Sequence, residues 1–233
     1  MHQAPHLIER HLDAEAAEAL RRGLREGGVE VYTRNRAKAL HGSEGGRVTG
    51  VELANGYRLS CDLVVLACGV RPRTGLAHAA GLAVERGVLV DDELRTSAPH
   101  VHAIGDCTEH RGAVHGLAGP AWEQADVLAA RLSGADPDAR YTGSRPLARL
   151  SAGPLEYAAF GLVDEADDPD LDVLTLRDAT RGAYKKLVLR GDRLVGGILL
   201  GDLATVDALT RAYERDEPLP DSPLHLLTTL PAR

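Results

Sequence analysis

The order of hydrophobic and polar residues along the first half of the chain predicts a helix, a small antiparallel sheet and then a buried strand. Residues 13–26 place alanine and leucine at helical spacing, with Asp13 as the capping residue. Asn55-Gly56 is a hairpin turn, because both residues tolerate positive φ. The run Leu63–Ala67 is apolar without alternation, which is typical of a parallel strand covered on both faces. The other strands predicted in this half are Val29–Tyr32, Ala37–His41, Val48–Ala54 and Tyr57–Cys61.

The second half of the chain changes from an α/β pattern to an antiparallel β pattern. Val101–Ile104 is a second buried strand, and a helix opens at Pro120 and ends at Leu132. From about Tyr141 the pattern is that of strands joined by turns, with Gly191-Asp192 as a hairpin, followed by an amphipathic helix over Ala204–Arg215. The strands predicted in this half are Tyr157–Val163, Val173–Leu176, Tyr184–Arg190 and Leu194–Leu200.

These elements predict an α/β fold. A helix, a meander and buried strands in this order are typical of partial doubly wound nucleotide-binding domains, and we expect a small α+β antiparallel-sheet interface domain after them. A domain boundary is expected near residue 140, where Ala135–Asp138 has the composition of a linker.

Composition and charge exclude several function classes. The 233 residues carry a net charge of −7, which argues against broad binding to nucleic acid or to anionic lipid. The three cysteines form no C-x-x-C pair, so a zinc ribbon or a dithiol redox site is not expected. No apolar run approaches the roughly 20 residues of a membrane span, and the amino terminus lacks an apolar signal core. We therefore expect a cytoplasmic protein with no nucleic-acid or membrane partner.

Gly105 and Asp106 are the first candidate site, because they follow a predicted strand whose carboxyl end is where ligands bind in open α/β sheets. Gly105 has no Cβ, so a ligand can approach the backbone there. Asp106 is an acceptor suited to a sugar or ribityl hydroxyl. The same two residues also fit an ordinary turn capped by an aspartate, and the spacing alone leaves both interpretations open.

The wider context resembles the pyridine nucleotide-disulfide oxidoreductases. Residues 87–107, ending in Ala103-Ile104-Gly105-Asp106-Cys107, are similar to the second FAD fingerprint of that family, and Val65–Pro72 is similar to its Ala-Thr-Gly strand and turn, with Cys68 in place of the threonine. Gly119–Ala125 resembles the family helix that points its first turn at the flavin pyrimidine ring. Tyr184–Asp202 resembles the carboxyl-terminal domain of the branch that holds NADH-dependent nitrite reductase large subunits and rubredoxin or ferredoxin reductases.

This resemblance implies an FAD-dependent oxidoreductase that takes electrons from NAD(P)H through FAD to a redox partner. It implies three parts: residues 1–75 from the NAD(P)-binding domain, 76–140 from the FAD-binding domain and 141–233 as the interface domain. The cofactor-binding residues that it implies are Gly69, Gly105, Asp106, Pro120, Ala121 and Trp122. Gly69 would line the NAD side and Asp106 would bind the ribityl chain, while the backbone of residues 120–122 would face the pyrimidine end. No catalytic acid or base and no metal site are predicted.

The chain has no G-x-G-x-x-G loop between a strand and a helix, although the family carries one for each dinucleotide. The loop N–H groups that offset phosphate charge are thus missing, which weakens the expectation that the isolated chain binds FAD or NAD(P)H tightly. We expect a truncated gene product or one half of a split enzyme, in which an upstream chain supplies the loops. A redox partner protein and a second copy in a homodimer are further expected partners. The competing hypothesis is a non-catalytic module that docks a redox partner, or an inactive fragment.

Overall fold

The computed structural model describes residues 1–145, 147–152, 155–164, 168–220 and 223–228. The chain divides into two compact units, one formed by residues 1–65 with 147–233 and the other by residues 66–146. The first unit is thus made from both ends of the chain. The three predicted parts, 1–75, 76–140 and 141–233, remain a prediction.

Helix α1 (Ala14–Glu26) begins where the sequence predicts it. Asp13 has extended backbone angles and its Oδ1 accepts the N–H of Ala16 at 2.8 Å, which is the hydrogen bond expected of an N-cap aspartate. Leu20 lies three and four residues after Ala17 and Ala16, so the three side chains share one face, on which they are buried. The predicted helix and its cap are confirmed.

A three-stranded antiparallel meander follows α1. Its strands are β1 (Ala37–Gly42), β2 (Val48–Leu53) and β3 (Arg58–Ser60), in the order β1-β2-β3. Gly56 adopts a φ of +85°, and the side chain of Asn55 accepts the N–H of Tyr57 at 3.1 Å, as a hairpin turn of this sequence requires. Each strand pairs with a neighbour that is close in sequence, so the meander needs no distant partner.

The carboxyl-terminal part of the first unit is a five-stranded antiparallel sheet of order β6-β7-β10-β9-β8. Its strands are β6 (Leu147–Ala152), β7 (Leu155–Gly161), β8 (Asp172–Asp178), β9 (Ala183–Arg190) and β10 (Arg193–Leu200). Helix α4 (Val206–Glu214) packs on one face of the sheet and α1 packs on the other. Because both faces are covered, six consecutive residues of β9 are buried and the strand shows no alternation of burial.

Two neighbouring lysines of β9 are buried on opposite faces of this sheet, and each is paired with a carboxylate. Lys185 Nζ lies 2.7 Å from the Asp202 carboxylate, whereas Lys186 Nζ donates to Asp13 Oδ2 at 3.1 Å. Asp13 also accepts the hydroxyl of Tyr184 at 2.7 Å. Burial by itself would raise the pKa of Asp13, but the hydrogen bonds from Ala16, Tyr184 and Lys186 outweigh it and hold the pKa below its usual value.

The second unit holds helix α2 (Gly75–Ala79), a parallel pair of short strands, β4 (Val88–Val90) and β5 (Thr108–His110), and helix α3 (Ala118–Ser133). Glu109 is 2% exposed, and its Oε2 accepts the N–H groups of Arg86 and Gly87 at 2.8 and 2.9 Å. A Cβ on Gly87 would lie 2.9 Å from the Cys107 carbonyl oxygen, so only glycine fits there.

Helix α3 has 16 residues and is followed by Gly134 in the left-handed region, with a φ of 76°. It includes the predicted helix 120–132 and begins two residues before Pro120. Within the described part of the chain, no helix has the length and apolar character needed to cross a membrane.

Three predicted strands are wrong. Val29–Tyr32 and Leu63–Ala67 form no strand, and Val101–Ile104 contributes one isolated bridge, between His102 and Arg95. The side chains of Leu63, Val65 and Leu66 are 76%, 77% and 73% exposed, the reverse of the expected burial. The physical reason is that a parallel strand needs neighbouring strands to accept its backbone hydrogen bonds, and no described residue pairs with this segment.

Replacing Asp13 tests the link between α1 and the sheet. Asp13→Ala removes the helix cap and leaves Tyr184 and Lys186 without this acceptor, so we expect the free energy of unfolding to fall by about 3 kcal/mol in urea titrations followed by circular dichroism. Asp13→Asn keeps the cap and should cost less. The exposed Glu18→Gln on the same helix, which breaks a surface pair with Arg21, should change stability by less than about 0.5 kcal/mol.

The same carboxylate makes stability depend on pH in the acid range. Its folded pKa lies below the unfolded value of about 3.9, so its contribution is complete above about pH 4 and is lost as the pH falls through the folded value. Asp13→Asn should therefore flatten the loss of stability below pH 4. If the free energy of unfolding falls below pH 4 in the same way in the wild type and the variant, this assignment is contradicted.

Candidate functional site

The Gly105-Asp106 turn is an exposed feature of the second unit. Residues 105–107 form one turn of 3-10 helix, in which Gly105 adopts a φ of +80°, a conformation that costs a residue with a side chain about 1–2 kcal/mol. A Cβ on Gly105 would lie 3.9 Å from the Cβ of Ala121, so the turn packs against the first turns of α3. Asp106 is exposed to solvent, where its carboxylate can accept hydrogen bonds from a ligand.

The amino terminus of α3 has no side-chain cap. The N-cap residue is Leu117, which cannot accept a hydrogen bond through its side chain, and the third helical residue, Pro120, has no N–H. The backbone N–H groups of Ala118 and Gly119 therefore point out of the helix end without intrahelical partners. Together with the helix dipole they favour negative charge or a carbonyl oxygen at this end.

Gln124 joins the turn to the helix, and the sequence interpretation missed it. This residue is 3% exposed, and its Oε1 accepts the N–H of Gly105 at 2.7 Å. One signal could have identified it, because Gln124 lies one helical turn after Pro120 and is thus a polar residue on the buried face of α3.

A second set of contacts holds α3 from another side. Glu123 accepts a hydrogen bond from Ser144, whose hydroxyl is also 2.6 Å from that of Tyr141. The Tyr141 ring packs against the His110 ring at a centroid distance of 4.8 Å, and His110 Nε2 lies 2.9 Å from the Asp92 carboxylate. The orientation of α3 is therefore fixed by contacts along its first two turns.

The pKa values of Asp92 and His115 are shifted by their surroundings. Hydrogen bonds from Arg111 and His110 hold the pKa of Asp92 below its usual range, so this carboxylate is ionised at neutral pH. Burial lowers the pKa of His115, an effect that Glu123 opposes and His110 reinforces. The neutral form of His115, which precedes α3, is therefore favoured.

The structure brings most of the predicted site residues together. Gly69 is exposed and adopts a φ of +78°, and a Cβ on Gly116 would lie 3.3 Å from Val70, so the turn at residues 69–70 approaches the loop that leads into α3. Pro120 is buried and Ala121 is half-buried at the helix start.

Trp122 differs from the other predicted site residues because its side chain is 71% exposed and is not part of the core. Cys61, Cys68 and Cys107 are free thiols. In the part of the chain that the structure describes, His, Cys, Asp and Glu side chains do not form a group of three able to hold a metal ion. The binding roles of the six predicted residues remain a prediction.

Comparison with known families matches almost the whole chain. A model described as pyridine nucleotide-disulphide oxidoreductase matches residues 1–126, and one described as the rubredoxin NAD+ reductase carboxyl-terminal domain matches residues 146–217. Both agree with the resemblance seen in the sequence.

The chain is similar to several larger proteins. It is 35% identical over 216 residues to a nitrite reductase [NAD(P)H] of Bacillus subtilis, covering 93% of this chain and 26% of that protein. It is 42% identical over 130 residues to a rubredoxin-NAD(+) reductase of Alcanivorax borkumensis, covering 56% of this chain and 34% of that protein. The chain thus spans about a quarter to a third of the length of these two relatives.

The solved structures confirm the α/β fold class. The crystal structure of a ferredoxin reductase from Rhodopseudomonas palustris superimposes with a TM-score of 0.80 at 28% identity, covering 97% of this chain and 57% of that one. The match therefore includes both units of this chain.

Substituting Gly105 tests the strained turn. Gly105→Ala should lower the free energy of unfolding by about 1–2 kcal/mol, because alanine resists the positive φ while the added methyl group only touches Ala121. The matched control is Gly75→Ala, which lies at the start of α2 with open space around it and should leave stability unchanged or raised. Equal urea midpoints for the two variants would contradict the assigned turn geometry.

Proposed function

The chain belongs to the pyridine nucleotide-disulphide oxidoreductase family, and we propose that it supplies the flavin-facing and nicotinamide-facing residues of an FAD-dependent NAD(P)H oxidoreductase that passes electrons to a partner protein. The observation that carries the proposal is the meeting of the exposed Asp106 turn with the uncapped end of α3. A bound flavin would supply the redox chemistry, which is acceptance of a hydride from the nicotinamide and transfer of electrons to an acceptor.

The residues present fit one half of FAD. Asp106 offers an exposed acceptor for ribityl hydroxyl groups, and Gly105 leaves the backbone open beside it. The free N–H groups at the start of α3 donate to carbonyl oxygens at the pyrimidine end, and the dipole stabilises negative charge there by about 0.3–1 kcal/mol. A hydrogen bond to the Asp106 carboxylate adds about 1.5–3 kcal/mol.

This sequence contains no G-x-G-x-x-G loop, so it lacks the residues that would bind the diphosphate of FAD. We assign phosphate binding to a segment that carries such loops, in the same polypeptide or in a separate one. The exposed run Leu63–Val70 supports this assignment, because it has the residues of a buried parallel strand and needs a strand of another segment to pair with.

We assign the nicotinamide side to the turn at Gly69, whose positive φ and lack of Cβ leave room for a planar ring. The electron acceptor is proposed to be a small redox protein, as the names of the rubredoxin and ferredoxin reductase relatives suggest. A cytoplasmic location and a homodimer complete the proposal. The competing proposal is a docking module without flavin, in which the carboxyl-terminal sheet β6–β10 docks a redox partner and the α/β part is scaffold.

Flavin titration distinguishes the two proposals. In this proposal the chain's own residues contact only the ring and the ribityl chain of the flavin. The fluorescence of riboflavin and of FAD should therefore be quenched on binding with dissociation constants within about threefold of each other. Asp106→Asn should weaken both by about tenfold or more, since it removes a charge-assisted hydrogen bond. The control Asp126→Asn alters an exposed aspartate of α3 and should change neither dissociation constant. Failure of the wild-type chain to bind riboflavin would favour the docking module.

The unpaired run should also drive self-association. We expect the wild-type chain to form concentration-dependent oligomers in sedimentation velocity experiments, because an exposed apolar strand is a template for pairing. Leu66→Lys, at a side chain that is 73% exposed, should shift the distribution towards monomer without loss of stability. Leu76→Lys, at an 86% exposed side chain of α2, is the matched control. Equal association of both variants would argue against a role for this run.

A further inference from the structure

Gln124 is a buried polar side chain for which the proposed function so far gives no role. It is 3% exposed, and Pro120 is the other buried residue of α3. Burial of a side-chain amide costs free energy unless the amide is hydrogen-bonded. A hydrophobic residue would fill the same face at a lower cost in free energy. We therefore expect the amide to hold another group in place.

The hydrogen bond fixes the orientation of the amide. The partner is the backbone N–H of Gly105, which can only donate, so the atom 2.7 Å away must be the side-chain oxygen. The Nε2 group is then left with two donor hydrogens, and no described residue accepts them. The side chain is thus fixed at its oxygen and keeps a donor group available.

This bond is also the link between two elements that are 19 residues apart. Among the described residues, no other hydrogen bond joins the turn at residues 105–107 to α3. The Glu123 contact with Ser144 anchors the helix elsewhere and does not reach the turn. The separation between the Asp106 carboxylate and the helix end therefore depends on Gln124.

We propose that Gln124 is a positioning residue that holds the Asp106 carboxylate and the uncapped end of α3 at one fixed separation, so that the ribityl chain and the pyrimidine end of a flavin are recognised together. The inference rests on the proposed function and deepens it. Its physical basis is that two weak contacts reinforce each other on one ligand when their spacing is fixed before binding, because less free energy is then lost in ordering the site.

The first measurement needs no ligand. Gln124→Leu keeps the size of the side chain and removes the acceptor, so amide exchange at Gly105 should become about tenfold faster or more. Gln124→Glu keeps an acceptor and should restore slow exchange. Gln3→Leu makes the same chemical change at an exposed position and is the control. Unchanged exchange at Gly105 in Gln124→Leu would overturn the inference.

The second measurement is a double-mutant cycle with riboflavin as the probe. Gln124→Leu should weaken binding about tenfold when Asp106 is present and less than about threefold in the Asp106→Asn background, because the two residues act as a unit. A residue with a merely structural role would give the same loss in both backgrounds, and that result would overturn the inference.

The two proposals fail in different ways. If the wild-type chain binds no riboflavin, the proposed function fails, and exchange at Gly105 then decides by itself whether Gln124 links the turn to the helix. If riboflavin binds and Asp106→Asn weakens it, while Gln124→Leu leaves both exchange and affinity unchanged, the proposed function stands and the inference fails.

Discussion

Backbone hydrogen bonding between strands decides which parts of this chain form sheets. Each buried N–H and C=O group needs a partner, and antiparallel strands find theirs in segments that are close in sequence. The meander β1–β3 therefore forms from local hairpins, and so do the pairs β6–β7, β8–β9 and β9–β10, whereas β7 pairs with β10 across the two intervening strands. The segment Leu63–Val70 has the composition of a central parallel strand, but its partners would come from elsewhere, and so it lies exposed.

The need for backbone hydrogen-bond partners also limits which part of a ligand the candidate site can contact. The residues that meet at the start of α3 are held by contacts within one unit, chiefly the bond from Gly105 to Gln124. They offer donors and an acceptor suited to a ring system and a polyol. Phosphate recognition requires N–H groups of a glycine-rich loop between a parallel strand and a helix, and the run Leu63–Ala67 forms no parallel pair with any described residue.

The two ends of the chain are joined through charge as well as apolar packing. Asp13 and Tyr184 are 171 residues apart and share a hydrogen bond, with Lys186 beside them. A buried lysine is tolerated only when it is paired, and Asp13 supplies the pair while it also caps α1. This arrangement explains why β9 carries two consecutive lysines in the middle of a covered sheet, since each one faces a different carboxylate.

The sequence by itself determined the local elements, which are the Asp13 cap, the Asn55-Gly56 hairpin, helix α3 and the positions of strands β7–β10. It also determined the family, through motifs that include Gly105 and Asp106. Only the tertiary structure decided that Leu63–Ala67 is exposed, that α1 covers the sheet, and that Gln124 bonds to Gly105. These outcomes depend on which distant groups are available as partners, and a pattern of hydrophobic and polar residues does not identify those groups.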